Sequence, residues 1–164
     1  MSITPDRQKV IDFSDPYFNA TQALVVKAGS PVKSLADLKG KKLGAQSGTT
    51  GLDYVKKNAA ANGYEVVDYK DLGTQQQALS TGQIEGAVND IPVWKEFIKQ
   101  NAAKYTIATE FDTGDQYGFG INKDGNPELL KTVNEVLEAA RQDGTYDKIY
   151  EKWIGTPPAS KETK

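Results

Sequence analysis

Apolar and β-branched residues come in short bursts along this chain, separated by glycine, proline and charged residues. Residues 21–28 (TQALVVKA) have the apolar, β-branched character of a buried strand, and Gly29-Ser30-Pro31 breaks it. A short helical turn at 34–38 ends at Gly40, and a strand at 41–46 runs into Ser47-Gly48-Thr49-Thr50-Gly51. A helix over about 52–61 is stopped by Asn62-Gly63. The alternation repeats as a strand at 65–69, a helix near 74–80, a strand at 84–89, a helix near 92–101 and a strand at 105–108. Strands alternating with helices predict an α/β fold: a mainly parallel sheet with helices on both faces.

Residues 117–122 (YGFGIN) read as a further strand whose two glycines suggest a bend or a close backbone approach. The longest helix spans 127–142, with Pro127 in its first turn and Gly144 just past its end. Along it Leu129, Leu130, Val133, Val136, Leu137 and Ala140 recur at helical spacing, which predicts a buried stripe. A last helix at 146–153 leads to a polar tail, 156–164, expected to be disordered. Phe13, Tyr17, Phe18, Trp94, Phe119, Tyr146 and Trp153 read as core or hinge packing.

Composition narrows the chemistry. Of 164 residues, 38% are hydrophobic and 26% charged, with a net charge of -2, which fits a globular protein without a cationic nucleic-acid surface. No apolar run approaches the roughly 20 residues that span a bilayer, and no charged-then-apolar leader precedes the first strand. Neither membrane insertion nor an export signal is therefore expected in this chain. There is no His and no Cys, which excludes Ser-His-Asp and Cys-His catalysis, disulfides, and metal sites built on nitrogen or sulfur. No metal and no cofactor is expected.

Three places carry candidate chemistry. Gly44-Ala45-Gln46-Ser47-Gly48-Thr49-Thr50-Gly51 joins a strand to a helix, and helix N-terminal N–H groups together with the helix dipole suit an anion. It lacks the Lys-Ser/Thr ending of a P-loop and the glycine spacing of a dinucleotide fingerprint, and it also reads as a plain turn with a Thr cap. Arg7 offers a planar fork for a carboxylate, or is a solvated charge beside Asp6. Asp90 follows an apolar strand and precedes Pro92, at the carboxyl end of a strand, where ligands gather in open α/β sheets. Its carboxylate suits an ammonium group, or simply caps the next helix.

The run from Ser2 to Phe18 (SITPDRQKVIDFSDPYF) and the ending from Asp143 to Trp153 (DGTYDKIYEKW) resemble the family 3 extracellular solute-binding proteins. These are the amino-acid-binding proteins of bacterial ABC importers, and the glutamine/arginine-binding type is the nearest in pattern. The resemblance covers about residues 2–155. It implies a type II periplasmic-binding-protein second lobe with its closing helices, flavodoxin-like or domain-swapped, lacking most of the first lobe and so one wall of the ligand cleft. The implied organisation is a crossover at 1–20, the second lobe at 21–116, a return strand and closing helices at 117–155, and the tail at 156–164.

By resemblance, Gln46, Thr49 and Thr50 line an amino-acid cleft, Arg7 takes the α-carboxylate and Asp90 the α-ammonium. Ser2 falls where a hydroxyl or backbone contact is expected, and Asn89 near the ligand's side chain. The implied partners are a polar amino acid and an ABC permease, in the periplasm or outside the cell, without catalysis. Loss of a wall implies weak or lost affinity, and the uncovered stripe of the long helix implies a homodimer. Two rivals stand beside this reading. One is a self-associating scaffold without ligand. The other is an enzyme, since the fold also resembles periplasmic dehydratases of prephenate-like acids, with Asp90 as the available acid.

Overall fold

The computed structural model describes residues 1–123 and 125–158, so the tail expected at 156–164 lies, from residue 159 on, outside the described residues. The first half of the chain forms α1 (Pro5–Gln8), β1 (Ile11–Phe13), β2 (Phe18–Lys27), a 3-10 turn (Leu35–Leu38), β3 (Lys42–Gln46), α2 (Thr50–Asn62) and β4 (Glu65–Tyr69). The second half forms α3 (Leu72–Thr81), β5 (Gly86–Asp90), α4 (Ile91–Gln100), β6 (Tyr105–Tyr117), β7 (Gly120–Asn122), α5 (Pro127–Gln142) and α6 (Thr145–Ile154). These fall into two units, residues 21–113 and residues 1–20 with 114–164.

The unit of residues 21–113 is built on the five-stranded sheet, in the order β4-β3-β5-β2-β6. Ala23, Leu24, Val25 and Val26 are all 0% exposed, so β2 is covered on both faces. Leu24, Val26, Leu43 and Val88 pack with Leu52 and Val55 of α2 and with Leu35 and Leu38 of the 3-10 turn. On the opposite face Ala23, Val25 and Ala87 pack with Ala78 and Leu79 of α3 and with Trp94 of α4. Helices thus cover both faces of the sheet.

The sheet is mixed rather than mainly parallel. β3 runs parallel to β4 and to β5, as the strand-helix alternation predicts, but β2 pairs antiparallel with β5, Gln22 lying opposite Asp90. Parallel neighbours need a helical crossover, which the consecutive strands β3, β4 and β5 have in α2 and α3. From β3 the chain steps through α2 to β4 on one side, then through α3 to β5 on the other. The carboxyl ends of β3 and β5 therefore flank a topological switch point, the crevice where open α/β sheets take ligands.

The unit of residues 1–20 and 114–164 holds α1, the antiparallel pair β1–β7, and the helices α5 and α6. Thr4 caps α1 by accepting from Arg7 N at 3.3 Å, and Ser2 bridges to Tyr117. Tyr146 Oη donates to the Tyr17 carbonyl at 2.6 Å and Arg141 Nη2 to the Pro16 carbonyl at 2.6 Å, which anchors both helices. Tyr17 stacks on Phe119, and Phe18 meets Tyr117 and Tyr150.

The stripe of α5, predicted to be buried, is open. No described residue of α5 is buried; Leu129 is 48% exposed and Val136 61%. Trp153, at 74%, and Phe119, at 47%, are likewise not core residues, whereas Trp94 and Tyr146 are buried. The physical reason lies in the count of elements: a two-stranded ladder and one short helix cannot cover the apolar faces of two long helices. The result is an apolar groove of about 560 Å³ lined by Tyr17, Phe18, Val133, Val136, Tyr150 and Trp153, among others.

Candidate functional site

Within the unit of residues 21–113, the candidates Gln46, Thr49, Thr50, Asn89 and Asp90 stand at the carboxyl ends of β3 and β5. The turn after β3 is held by its own polar groups. Ser47 N donates to the Tyr69 carbonyl at 2.8 Å, and the Ser47 hydroxyl donates to Asp68. That hydroxyl, with Lys56 at 3.3 Å, holds the Asp68 carboxyl below its ordinary value. Thr49 sits at the N-cap of α2, its Oγ1 accepting from Leu52 N at 3.1 Å and donating to the Gln46 carbonyl at 2.7 Å. With Thr49 thus engaged, Thr50 opens the helix, and its first-turn N–H groups have no carbonyl one turn earlier inside the helix. This end of α2 carries the positive pole of a 13-residue helix.

Asp90 occupies the N-cap position of α4 yet makes no side-chain cap hydrogen bond. Its carboxylate instead accepts from the Gln22 side-chain nitrogen, which also donates to Thr50 Oγ1 at 3.3 Å. Asn89, 4% exposed, points the other way from Asp90, as strand alternation requires. Its Nδ2 lies 3.3 Å from Gln46 Oε1 and 3.5 Å from Gln75 Oε1, while its Oδ1 accepts from Asp90 N at 2.9 Å. Gln75, 0% exposed on α3, donates to the carbonyls of Gly44 and Val88 at 3.0 Å each and so ties β3 to β5 just behind the site.

Arg7 and Ser2 belong to the other unit. Arg7 Nη1 donates to the Ser2 carbonyl at 2.7 Å, and Ser2 is 4% exposed. The guanidinium is half-buried and aimed by a backbone group rather than loose in solvent.

Sequence reading missed Gln22 and Gln75. A signal for Gln75 existed: with Ala78 and Leu79 it forms an i, i+3, i+4 set, so it rides on the inward stripe of α3. Gln22 is an amide at the head of an otherwise apolar strand run, and its partners are far off in sequence. Chemically, the arrangement sets one carboxylate and one positive helix end at the mouth of the same crevice, a dipolar pair suited to a zwitterion.

Polar and charged groups thus gather at the switch point of an α/β sheet, the place where open sheets of this kind take ligands, and among the described residues no group of three or more His, Cys, Asp or Glu could hold a metal ion. Residues 1–156 match the model of the bacterial extracellular solute-binding proteins, family 3, and the chain belongs to that family. It is 35% identical over 160 residues to the ABC transporter glutamine-binding protein GlnH of Bacillus subtilis (strain 168), covering 97% of this chain and 57% of that protein. With ABC transporter arginine-binding protein 1 of Escherichia coli (strain K12) it shares 36% identity over 158 residues, 94% of this chain and 63% of the other. The chain thus spans between 57% and 63% of the length of these curated relatives.

Among solved structures, an ancestral arginine-binding protein bound to arginine superposes with a TM-score of 0.83 at 47% identity, over 93% of this chain and 68% of that one. The arginine-, lysine-, histidine-binding protein ArtJ of Geobacillus stearothermophilus gives 0.84 at 34% identity, over 99% and 71%. An ancestral amino acid-binding protein described as a precursor of cyclohexadienyl dehydratase gives 0.78 at 37%, over 93% and 65%. The curated relatives named here are transport proteins rather than enzymes.

Proposed function

We propose that this chain is an amino-acid-binding part of an ABC import system, acting outside the cytoplasm with a membrane permease and without catalysis. Asp90 receives the α-ammonium of a polar amino acid, and the Thr49-Thr50 end of α2 receives the α-carboxylate. Gln46 and Asn89 shape the polar surface near the ligand's side chain. Arg7, with Ser2 behind it, is proposed as a further carboxylate ligand on the family resemblance alone. Glutamine and arginine are the ligands to try first, because relatives that bind them are similar over nearly all of this chain.

One observation carries the reading. Asp90 sits at a helix N-cap without capping it, and its carboxylate shares a hydrogen-bonding partner with Thr50 at the start of α2. A carboxylate engaged in capping would have been structural. Affinity of the 164-residue chain alone is proposed to be weak, because a charged contact open to water is worth little. Isothermal calorimetry with glutamine and arginine tests this, with Asp90→Asn expected to abolish whatever heat is seen. Submicromolar binding by a monomer, or binding unchanged in Asp90→Asn, would overturn it.

A second reading concerns assembly and rests on the open α5–α6 face. We propose that two copies associate through it, with or without exchange of these helices, since burial of each large aliphatic or aromatic side chain stabilises by about 1.5–3 kcal/mol.

A further inference from the structure

Gln22 is 0% exposed and is followed along β2 by the wholly buried Ala23, Leu24, Val25 and Val26. A buried amide is costly unless its polar atoms are matched, so what it touches matters. Across the antiparallel ladder Gln22 lies directly opposite Asp90, which puts the two side chains on one face of the sheet. Leu24, two residues on and on that same face, packs with Leu52 of α2, so this is the face that α2 covers. The first turn of α2 approaches closely: a Cβ on Gly51 would stand 2.7 Å from Gln22 Oε1. A Cβ at position 51 would therefore push against the amide.

The chemistry fixes how the amide is turned. A carboxylate only accepts, so the Gln22 nitrogen must face Asp90, and one of its two protons goes there. The other goes to Thr50 Oγ1 at 3.3 Å. The Thr50 hydroxyl oxygen, as acceptor of that bond, is thereby held at a set position relative to the Asp90 carboxylate. One side chain therefore ties the acidic end of β5 to the first residue of α2.

We propose that Gln22 is the positioning residue of the site, clamping Asp90 and Thr50 in the relative orientation that an α-amino acid's two charged groups require. The proposal rests on the reading of Asp90 and Thr50 as ligand groups, and its test separates the two. The first arm uses the full chain without ligand. NMR couplings about χ1 of Asp90 and Thr50 are expected to report single rotamers in the wild type and averaged rotamers in Gln22→Met. Gly51→Ala, which displaces the amide, is expected to disturb the same two residues. Should Gln22→Met fail to fold, Gln22→Glu serves. Its carboxyl faces the Asp90 carboxylate, where burial and like charge favour taking up a proton, and as pH falls the protonated form becomes a donor of the same shape. The couplings in Gln22→Glu are then expected to return toward wild-type values as pH falls, measured against wild type at each pH. A purely structural role would give no such recovery.

The second arm is calorimetry with glutamine and arginine, in which Gln22→Met is expected to bind about 10- to 100-fold more weakly, the weight of a hydrogen bond to a charged group. If the wild type binds neither amino acid, the ligand reading fails on its own, and the rotamer arm still decides the positioning claim. Unchanged couplings at Asp90 and Thr50 in both Gln22 variants would overturn it, as would unchanged affinity in Gln22→Met.

Discussion

Replacing Gln75 by leucine should destabilise the unit of residues 21–113 far more than a near-isosteric change on a helix surface would. The side chain is 0% exposed, donates to the Gly44 and Val88 carbonyls at 3.0 Å each, and accepts from Asn89 at 3.5 Å. Leucine fills the volume but removes the donor to two buried carbonyls on adjacent strands, and it leaves Asn89 short of one acceptor. Counting about 1 kcal/mol for each of the two backbone bonds, with a further desolvation cost for groups left unmatched, the loss comes to about 2–4 kcal/mol. Urea unfolding measures it. With a slope of about 2 kcal/mol/M, in the middle of the range for small proteins, the midpoint should fall by roughly 1–2 M.

Trp94, 0% exposed and packed in the same unit, is the natural fluorescent reporter, and a Trp153→Phe background removes the exposed second tryptophan. A midpoint shift worth less than about 0.5 kcal/mol would refute the reasoning, because it would mean that the two carbonyls do not depend on this donor. A second consequence follows for the site: with Gln75 gone, the Asn89 amide nitrogen keeps its contact to Gln46 but loses its second acceptor, while Oδ1 still accepts from Asp90 N.

Asp37 accepts from the backbone N–H groups of Lys33 and Ser34 and from the Ser34 hydroxyl, and these bonds hold its carboxyl below 3.8. A depressed folded-state value stabilises above the unfolded one and is lost as pH falls below it. Melting temperature should therefore drop more steeply below about pH 4 in the wild type than in Asp37→Asn, and parallel curves would count against it. Light scattering should show a concentration-dependent dimer that Trp153→Lys combined with Ile149→Glu disperses, since both side chains are more than half exposed on the α5–α6 face. A wild type that stays monomeric at every concentration sinks the assembly proposal.

Several elements can be read in the sequence because their signals are local. The helix expected at 127–142 and the strand at 65–69 occupy those bounds in the structure, since Pro127 at the first turn, the cap at Asn126 and a short β-branched run act within a few residues. β6 shows the opposite case. Its reading ended at Ala108, but the strand continues to Tyr117 through Glu110, Asp112, Gly114 and Asp115, residues that by themselves disfavour strands. What keeps them extended is pairing with a neighbour, and pairing leaves no mark in the strand's own residues.

The stripe on α5 teaches a related limit. Periodicity names the apolar face of a helix, but it does not say what covers that face, and here the described chain leaves it open. The choice between a capping and a ligand-binding role for Asp90 was likewise undecidable in one dimension, because both place an acidic residue at the end of a strand, two positions before Pro92.

The order of strands and helices, and with it the placing of the Thr49-Thr50 turn and of Asp90 at strand ends, follows from short-range preferences written into neighbouring residues. Where β2 enters the sheet, which way Asp90 turns, and the part played by Gln22 were settled only by folding. The bond from Gln22 to Asp90 joins positions 68 apart, and that from Gln75 to Gly44 joins positions 31 apart. A buried amide is tolerated only where such distant partners arrive together, and nothing in its immediate surroundings along the chain announces them.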